Sequence, residues 1–125
     1  MIKYLLILSL IICGTNSFAK EGPVFTDNLL DAIALSESSE KDILVIFSAD
    51  WCKFCKILEN DIVKNPKIVE NLIICTINVD YNSDLVKTYN VGNIPDYFIL
   101  HNKIEIKRRV GYKNKQDLIK WINNE

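Results

Sequence analysis

Ile43-Leu44-Val45-Ile46-Phe47-Ser48-Ala49-Asp50-Trp51-Cys52-Lys53-Phe54-Cys55-Lys56 is the stretch on which the fold turns. Residues 43–47 are apolar at every position. A strand without alternation is one buried on both faces, as in the middle of a parallel sheet. Ser48-Ala49-Asp50 breaks the run. From Cys52 onward the period changes: Cys55, Leu58, Glu59 and Ile62 fall on one helical stripe, until Asn65-Pro66 ends or kinks the helix. Two cysteines three apart therefore stand at a strand-to-helix turn, the layout of a reactive dithiol.

Working outward, Lys20 to Thr26 contains Gly22 and Pro23 and reads as a lead-in. Leu29, Leu30, Ile33 and Ala34 recur at helical spacing within a helix from Asp27 to about Glu37, with Thr26 or Asp27 as its cap. Ser36 to Asp42 is polar and predicts a loop. Leu72 to Val79 is a second all-round apolar strand, and Asn82 to Tyr89 a short helix with Ser83 as a cap. Asn90 to Pro95 forms a loop. Tyr97 to Leu100 and Ile104 to Val110 are strands joined by His101-Asn102-Lys103, a connection short enough to make them an antiparallel hairpin. A last helix starts near Asn114 and buries Leu118, Ile119, Trp121 and Ile122. The expected class is α/β: a mixed sheet of about four strands, with helices on both faces.

The chain has 125 residues and a net charge of −1, which gives no basic surface for nucleic acid and no charged tail. Lys3, the apolar run Tyr4 to Cys13 and Ser17-Phe18-Ala19 have the layout of a secretory signal peptide cut after Ala19. The run is short for a bilayer span, which needs about 20 apolar residues. Cys13 leaves a lipoprotein as the minor alternative, disfavoured by Ile12 before it. Residues 20–125 then make one small domain in an exported, oxidising setting, expected to act as a monomer. Three cysteines remain in it, too few for a disulfide framework.

Residues i and i+3 of a helix have Cβ atoms roughly 5–6 Å apart, and a disulfide needs roughly 3.5–4.5 Å. A tightened first turn closes that gap, so the pair can open and close with little backbone change. Cys52, at the helix start, would have its thiolate favoured by free N–H groups and the helix dipole. Cys55, one turn inside, is more buried. Cys52 is thus the candidate nucleophile and Cys55 the resolving thiol. Lys53 and Lys56 favour the thiolate and Asp50 and Glu59 oppose it, so the formal charges cancel. A structural zinc site wants four N/S ligands, and only Cys75 and His101 stand outside the pair. Cys75, inside an apolar strand, reads as an inert core residue. Trp51 reads as a flat apolar shield over the dithiol, and Phe54 as an exposed substrate contact.

Trp51-Cys52-x-x-Cys55-Lys56 after a buried strand, then Asn78-Val79-Asp80, Val91-Gly92-Asn93-Ile94-Pro95 and Val110-Gly111-Tyr112, resembles the thioredoxin family over most of residues 20–125. Asp50 before Trp51, together with Cys55-Lys56-Ile57-Leu58-Glu59, looks most like secreted thioredoxin-like proteins, such as the carboxy-terminal domain of the membrane thiol–disulfide interchange reductase. The resemblance implies the thioredoxin fold and thiol:disulfide oxidoreductase activity through a Cys52–Cys55 disulfide, without a cofactor or metal. It also implies a cis Pro95 facing the dithiol, and an Ile94 whose backbone pairs with a substrate strand. The sequence departs from thioredoxins proper where these carry a buried Asp and a matching Lys: Ile46 and Thr76 stand there. Glu59, on the helical face of Cys55, is either a replacement proton relay or a solvated partner of Lys56. The expected function is reduction of disulfides in exported proteins, fed by a membrane-bound electron donor. An oxidant, or a non-catalytic binding and assembly factor, is the alternative.

Overall fold

The computed structural model describes residues 22–125; the expected signal segment 1–19 and Cys13 lie outside the described residues. Nine regular elements follow in order: β1 (Val24–Thr26), α1 (Leu29–Ser39), β2 (Asp42–Ser48), α2 (Lys53–Lys64), β3 (Leu72–Asn78), α3 (Ser83–Thr88), β4 (Asp96–His101), β5 (Ile104–Val110) and α4 (Lys115–Asn123). The strands form one mixed sheet in the order β1-β3-β2-β4-β5. β1, β3 and β2 run parallel, while β4 pairs antiparallel with both β2 and β5.

β2 is buried from Ile43 through Ser48. Its alternate side chains feed two separate cores, because successive residues of a strand point to opposite faces. Leu44 and Ile46 pack with Leu58 and Ile62 of α2, Ile74, Tyr97 and Leu118 of α4. Ile43, Val45 and Phe47 pack with Ala32 of α1, Ile73, Ile77 and Phe98, under Leu85 and Val86 of α3. An unbroken apolar run is thus what a strand with a helix layer on each side requires.

Local chemistry sets the element ends. Asn28 caps α1, its Oδ1 accepting from Asp31 N at 3.0 Å, while Thr26 Oγ1 accepts from Asn28 N at 3.1 Å. The expected cap at Thr26 or Asp27 therefore shifts to the next residue. The expected loop at Ser36 is instead helical to Ser39, because Ser39 Oγ donates back to Leu35 O at 2.7 Å and Glu40 closes the helix in the left-handed region. The expected cap Ser83 is instead the first residue of α3; Asn82 precedes it at the cap position without capping the helix, its Nδ2 donating back to Asn78 O at 2.8 Å. Asn102 and Lys103 both have positive φ, at 50° and 69°, the geometry of a tight two-residue hairpin turn.

The fifth strand is the main difference from the expected sheet of about four. β1 has three residues, and Val24 and Phe25 are exposed at the sheet edge. So short and so exposed a strand has no hydrophobic run to announce it. Pro23 just before it, lacking an N–H, suits an edge position.

Leu58 is fully buried between α2 and the sheet. Leu58→Ala is expected to lower the unfolding free energy by about 3 kcal/mol, the middle of the range for buried leucines. Leu30→Ala, at a side chain 77 % exposed, should stay within about 0.5 kcal/mol of the parent protein. Urea unfolding followed by far-UV circular dichroism separates the two.

Candidate active site at the strand-to-helix turn

β2 delivers the chain to the start of α2, and Cys52 occupies the N-cap of that helix in extended conformation. Its Sγ accepts from the Cys55 backbone N–H at 3.2 Å, and its own N–H donates to Ala49 O at 3.2 Å. Sulfur therefore takes the place that Ser or Asp usually fills at a cap, where unpaired N–H groups and the helix dipole favour negative charge. Cys52 and Cys55 are joined in a disulfide, with Cα atoms 5.3 Å apart. Cys52 is 7 % exposed and Cys55 fully buried. The outer sulfur is the one a partner can reach; both cysteines cluster with Ala49, against Val79 and Ile94.

Facing the dithiol is the loop ahead of β4. The Ile94 carbonyl oxygen lies 3.8 Å from Cys52 Sγ, and the Ile94–Pro95 peptide is cis. Pro95 is buried, and its carbonyl accepts from Gly111 N at 2.7 Å. Gly111 has φ of 88°, and a Cβ there would meet nothing within 4 Å. Backbone conformation rather than space is what calls for glycine beside Pro95.

Trp51 is 70 % exposed, and its Nε1 donates to Asp80 Oδ2 at 3.0 Å. With Ile94 it lines a mostly apolar groove of about 260 Å³, together with Val79, Ser83, Val86, Val91 and Gly92. Phe54, 55 % exposed on the first turn of α2, does not line this groove. The structure thus brings Trp51, Cys52, Ile94 and Pro95 to one end of the sheet, and leaves Phe54 on the rim.

Ile46 and Thr76 are direct register partners on β2 and β3. Ile46 is wholly buried in the core under α2, so no acid approaches Cys55 from that strand position. Glu59 approaches from the helix instead. Ser48, buried two residues beyond Ile46 on the same face, donates its hydroxyl to Glu59 Oε2. Lys56 turns away to an exposed ion pair with Asp50 at 3.5 Å. The expected Glu59–Lys56 pairing is thereby replaced, because a buried hydroxyl needs an acceptor more than an exposed ammonium does. Ser48, Glu59, Lys56 and Asp50 line a depression of about 310 Å³, with Thr76 and Asn78.

These observations converge with a family-model match: the model described as Thioredoxin covers residues 24–124. The chain belongs to the thioredoxin family. It is 30 % identical over 87 residues to the thioredoxin of Mycoplasma genitalium, covering 70 % of this chain and 85 % of that protein. To the thioredoxin of Rickettsia bellii it is 32 % identical over 87 residues, covering 69 % of this chain and 83 % of that protein. Among solved structures, a thioredoxin h from poplar superimposes with a TM-score of 0.72 at 23 % identity, over 83 % of this chain and 96 % of that one, a likeness of fold. A thioredoxin from Nicotiana alata gives 0.67 at 27 % identity, over 88 % and 97 %. The chain is accordingly a thioredoxin-family disulfide oxidoreductase with the thioredoxin fold and a Cys52–Cys55 disulfide.

Asp80, the partner of Trp51, belongs to Asn78-Val79-Asp80, but nothing in the sequence ties the two side chains together. Ser48 was legible only as a break in the strand. Its role depends on the parity that puts it on the α2 side, opposite Glu59. His101, in the hairpin connection, is exposed and bonded through Nδ1 to Asp42 Oδ1 at 2.7 Å.

Cys75 is the one free cysteine among the described residues. Burial, with smaller contributions from Asp27 and Asp31, pushes its thiol up to about 12. At pH 8–9 it is therefore a neutral, enclosed thiol. Iodoacetamide added to the reduced, folded protein should leave Cys75 unmodified across that range, and label it only after denaturant is added; peptide mass spectrometry reads the result. Labelling of Cys75 in the folded protein would contradict its placement.

Proposed function

We propose that the protein is an exported thiol:disulfide reductase in which Cys52 attacks and Cys55 resolves. The observation that carries this reading is the placement of Cys52 Sγ at the α2 N-terminus, 3.8 Å from the Ile94 carbonyl. In the reduced protein the Cys52 thiolate attacks one sulfur of a substrate disulfide. A mixed disulfide forms and the other substrate sulfur leaves as a thiolate. Cys55 then loses its proton and attacks Cys52 Sγ. The second substrate sulfur leaves, and the Cys52–Cys55 disulfide closes, with two electrons passed to the substrate. The backbone of Ile94, ahead of Pro95, offers pairing groups to an extended substrate strand, so affinity demands little of substrate sequence. Trp51 and Phe54 supply apolar contact at the rim.

The charge balance supports the reducing direction. Strong oxidants hold their reduced thiolate unusually stable. Here Lys56 is drawn to Asp50, the sole histidine of the chain, His101, is bonded to Asp42 at the far end of β2, and among the described residues Lys53 and Lys56 are balanced by Asp50 and Glu59 around the pair. Glu59 is the group we assign to accept the Cys55 proton. Its carboxylate sits on the helical face of Cys55 and lines a depression open to water, with Ser48 orienting it. A reductase working outside the cytoplasm needs electrons, so we assign a membrane-bound donor. The export reading rests on the layout of residues 1–19.

Three experiments test these assignments. With dithiothreitol as electron source, the parent protein should speed insulin reduction and Cys52→Ser should abolish the acceleration; equal, slight acceleration by both would leave only a binding role. Glu59→Gln should lower kcat by roughly tenfold or more, within reach of the ~10²-fold often contributed by a positioned base, while Glu59→Asp retains part of the rate. Expressed with its own amino terminus, the protein should be recovered outside the cytoplasm beginning at Lys20; a chain beginning at an acylated Cys13 would replace the soluble form by a lipoprotein.

A further inference from the structure

Arg108 on β5 touches both ends of the loop that carries Ile94. One Nη donates to the carbonyl of Tyr89, just before the loop, at 2.7 Å. The same Nη donates to Asp96 Oδ2 at 2.7 Å, and Nε donates to Asp96 Oδ1 at 2.8 Å, just after the loop. Asp96 is buried, 2 % exposed, and this fork supplies its ion-pair partner. The guanidinium also lies over the Phe98 ring, 5.2 Å from its centroid, and Phe98 stacks on Tyr89 at 5.0 Å. One rigid planar cation is thus held by two hydrogen-bonded ends and an aromatic floor. A lysine has no such fork and cannot make the same set of contacts.

Between the two tied ends run residues 90–95. They include the Ile94 carbonyl beside Cys52 and the Val91, Gly92 and Ile94 walls of the apolar groove. Within the loop, Val91 N donates to Val86 O at 2.9 Å, and beyond it Gly111 N donates to Pro95 O at 2.7 Å. Buried ion pairs are weak contributors to net stability and can often be replaced by apolar residues without loss. What a forked pair adds here is geometry. We propose that Arg108, anchored by Asp96, is a positioning residue of the dithiol site: it fixes the span of the 90–95 loop and so sets the Ile94 backbone where a polypeptide substrate pairs beside Cys52. This rests on the substrate-docking role assigned to Ile94 above. Polypeptide disulfides, which pair with the loop, then depend on Arg108. Small disulfides, which reach Cys52 without pairing, do not.

The test compares the parent protein with Arg108→Lys and with the double variant Asp96→Thr/Arg108→Leu, which removes the buried Asp96–Arg108 pair and leaves only the exposed Glu105 carboxylate without its 3.4 Å contact to Arg108. For insulin, KM should rise at least about fivefold with kcat held within about twofold, modest beside the ~10²-fold that misplacement can cost. Reduction of a small aromatic disulfide such as dithiobis(nitrobenzoate) should be unchanged in both variants. In the folded reduced proteins, the Val91 and Gly111 amides should exchange with solvent about tenfold faster, while β2 amides stay as in the parent, since local opening and global unfolding are separable by exchange. Unchanged loop amides, or equal losses on both disulfides, overturn the proposal. A parent protein inactive on both disulfides would instead sink the reductase reading, and the amides alone would then decide the role of Arg108.

Discussion

A strand that buries side chains on both faces has to be covered twice, and β2 imposes that condition on the whole molecule. Its even-numbered residues Leu44 and Ile46 need α2 and α4; its odd-numbered residues Ile43, Val45 and Phe47 need α1 and α3. β3 meets the same condition beside it, in register from Asp42–Leu72 to Ser48–Asn78. Once both layers are in place, the carboxyl end of β2 is the point where the chain must leave the sheet and enter α2. The dithiol sits at that exit, so the site is a consequence of the packing rather than an addition to it.

Two physical effects meet at Cys52. The helix N-terminus offers its sulfur unpaired N–H groups, which favour a thiolate. Enclosure against Ala49, Val79 and Ile94 limits the water that would otherwise solvate that charge. Local ion pairing adds little, because Lys56 and Asp50 hold each other in solvent. The inner sulfur has no charged neighbour on β2, where Ile46 completes the core. Acid and hydroxyl come instead from Glu59 and Ser48, one on the helix and one on the strand. The Glu59 carboxylate is thus carried by α2, with no charge placed in the middle of the sheet.

Much of this was legible in the sequence because the signals were of the kind that packing cannot hide. The unbroken apolar run at residues 43–47 and the largely apolar stretch Leu72 to Val79 announce two-sided burial, and the change of period at Cys52 announces the helix. The spacing of the cysteines announced the redox pair. What escaped was of two kinds. β1 is three residues at an exposed edge, held by backbone pairing with Ile73 to Cys75 rather than by a buried face. The polar contacts Ser48–Glu59, Trp51–Asp80 and Asp96–Arg108 span between 11 and 29 residues. Each depends on which face a side chain takes and on where neighbouring strands stop, and local spacing carries neither. Asp96 illustrates the point. The sequence shows only an acid after Pro95; the fold makes it the buried anchor of a cation on the edge strand.

On the proposed function, Cys52 and Cys55 form a dithiol poised to give electrons rather than to take them. Equilibrating the protein in glutathione buffers of graded composition, then trapping free thiols by alkylation, measures its reduction potential directly. A cap-stabilised sulfur without surplus positive charge should give a value near the ~−270 mV of reducing thioredoxins, and a value near the ~−120 mV of strong oxidants would contradict the account.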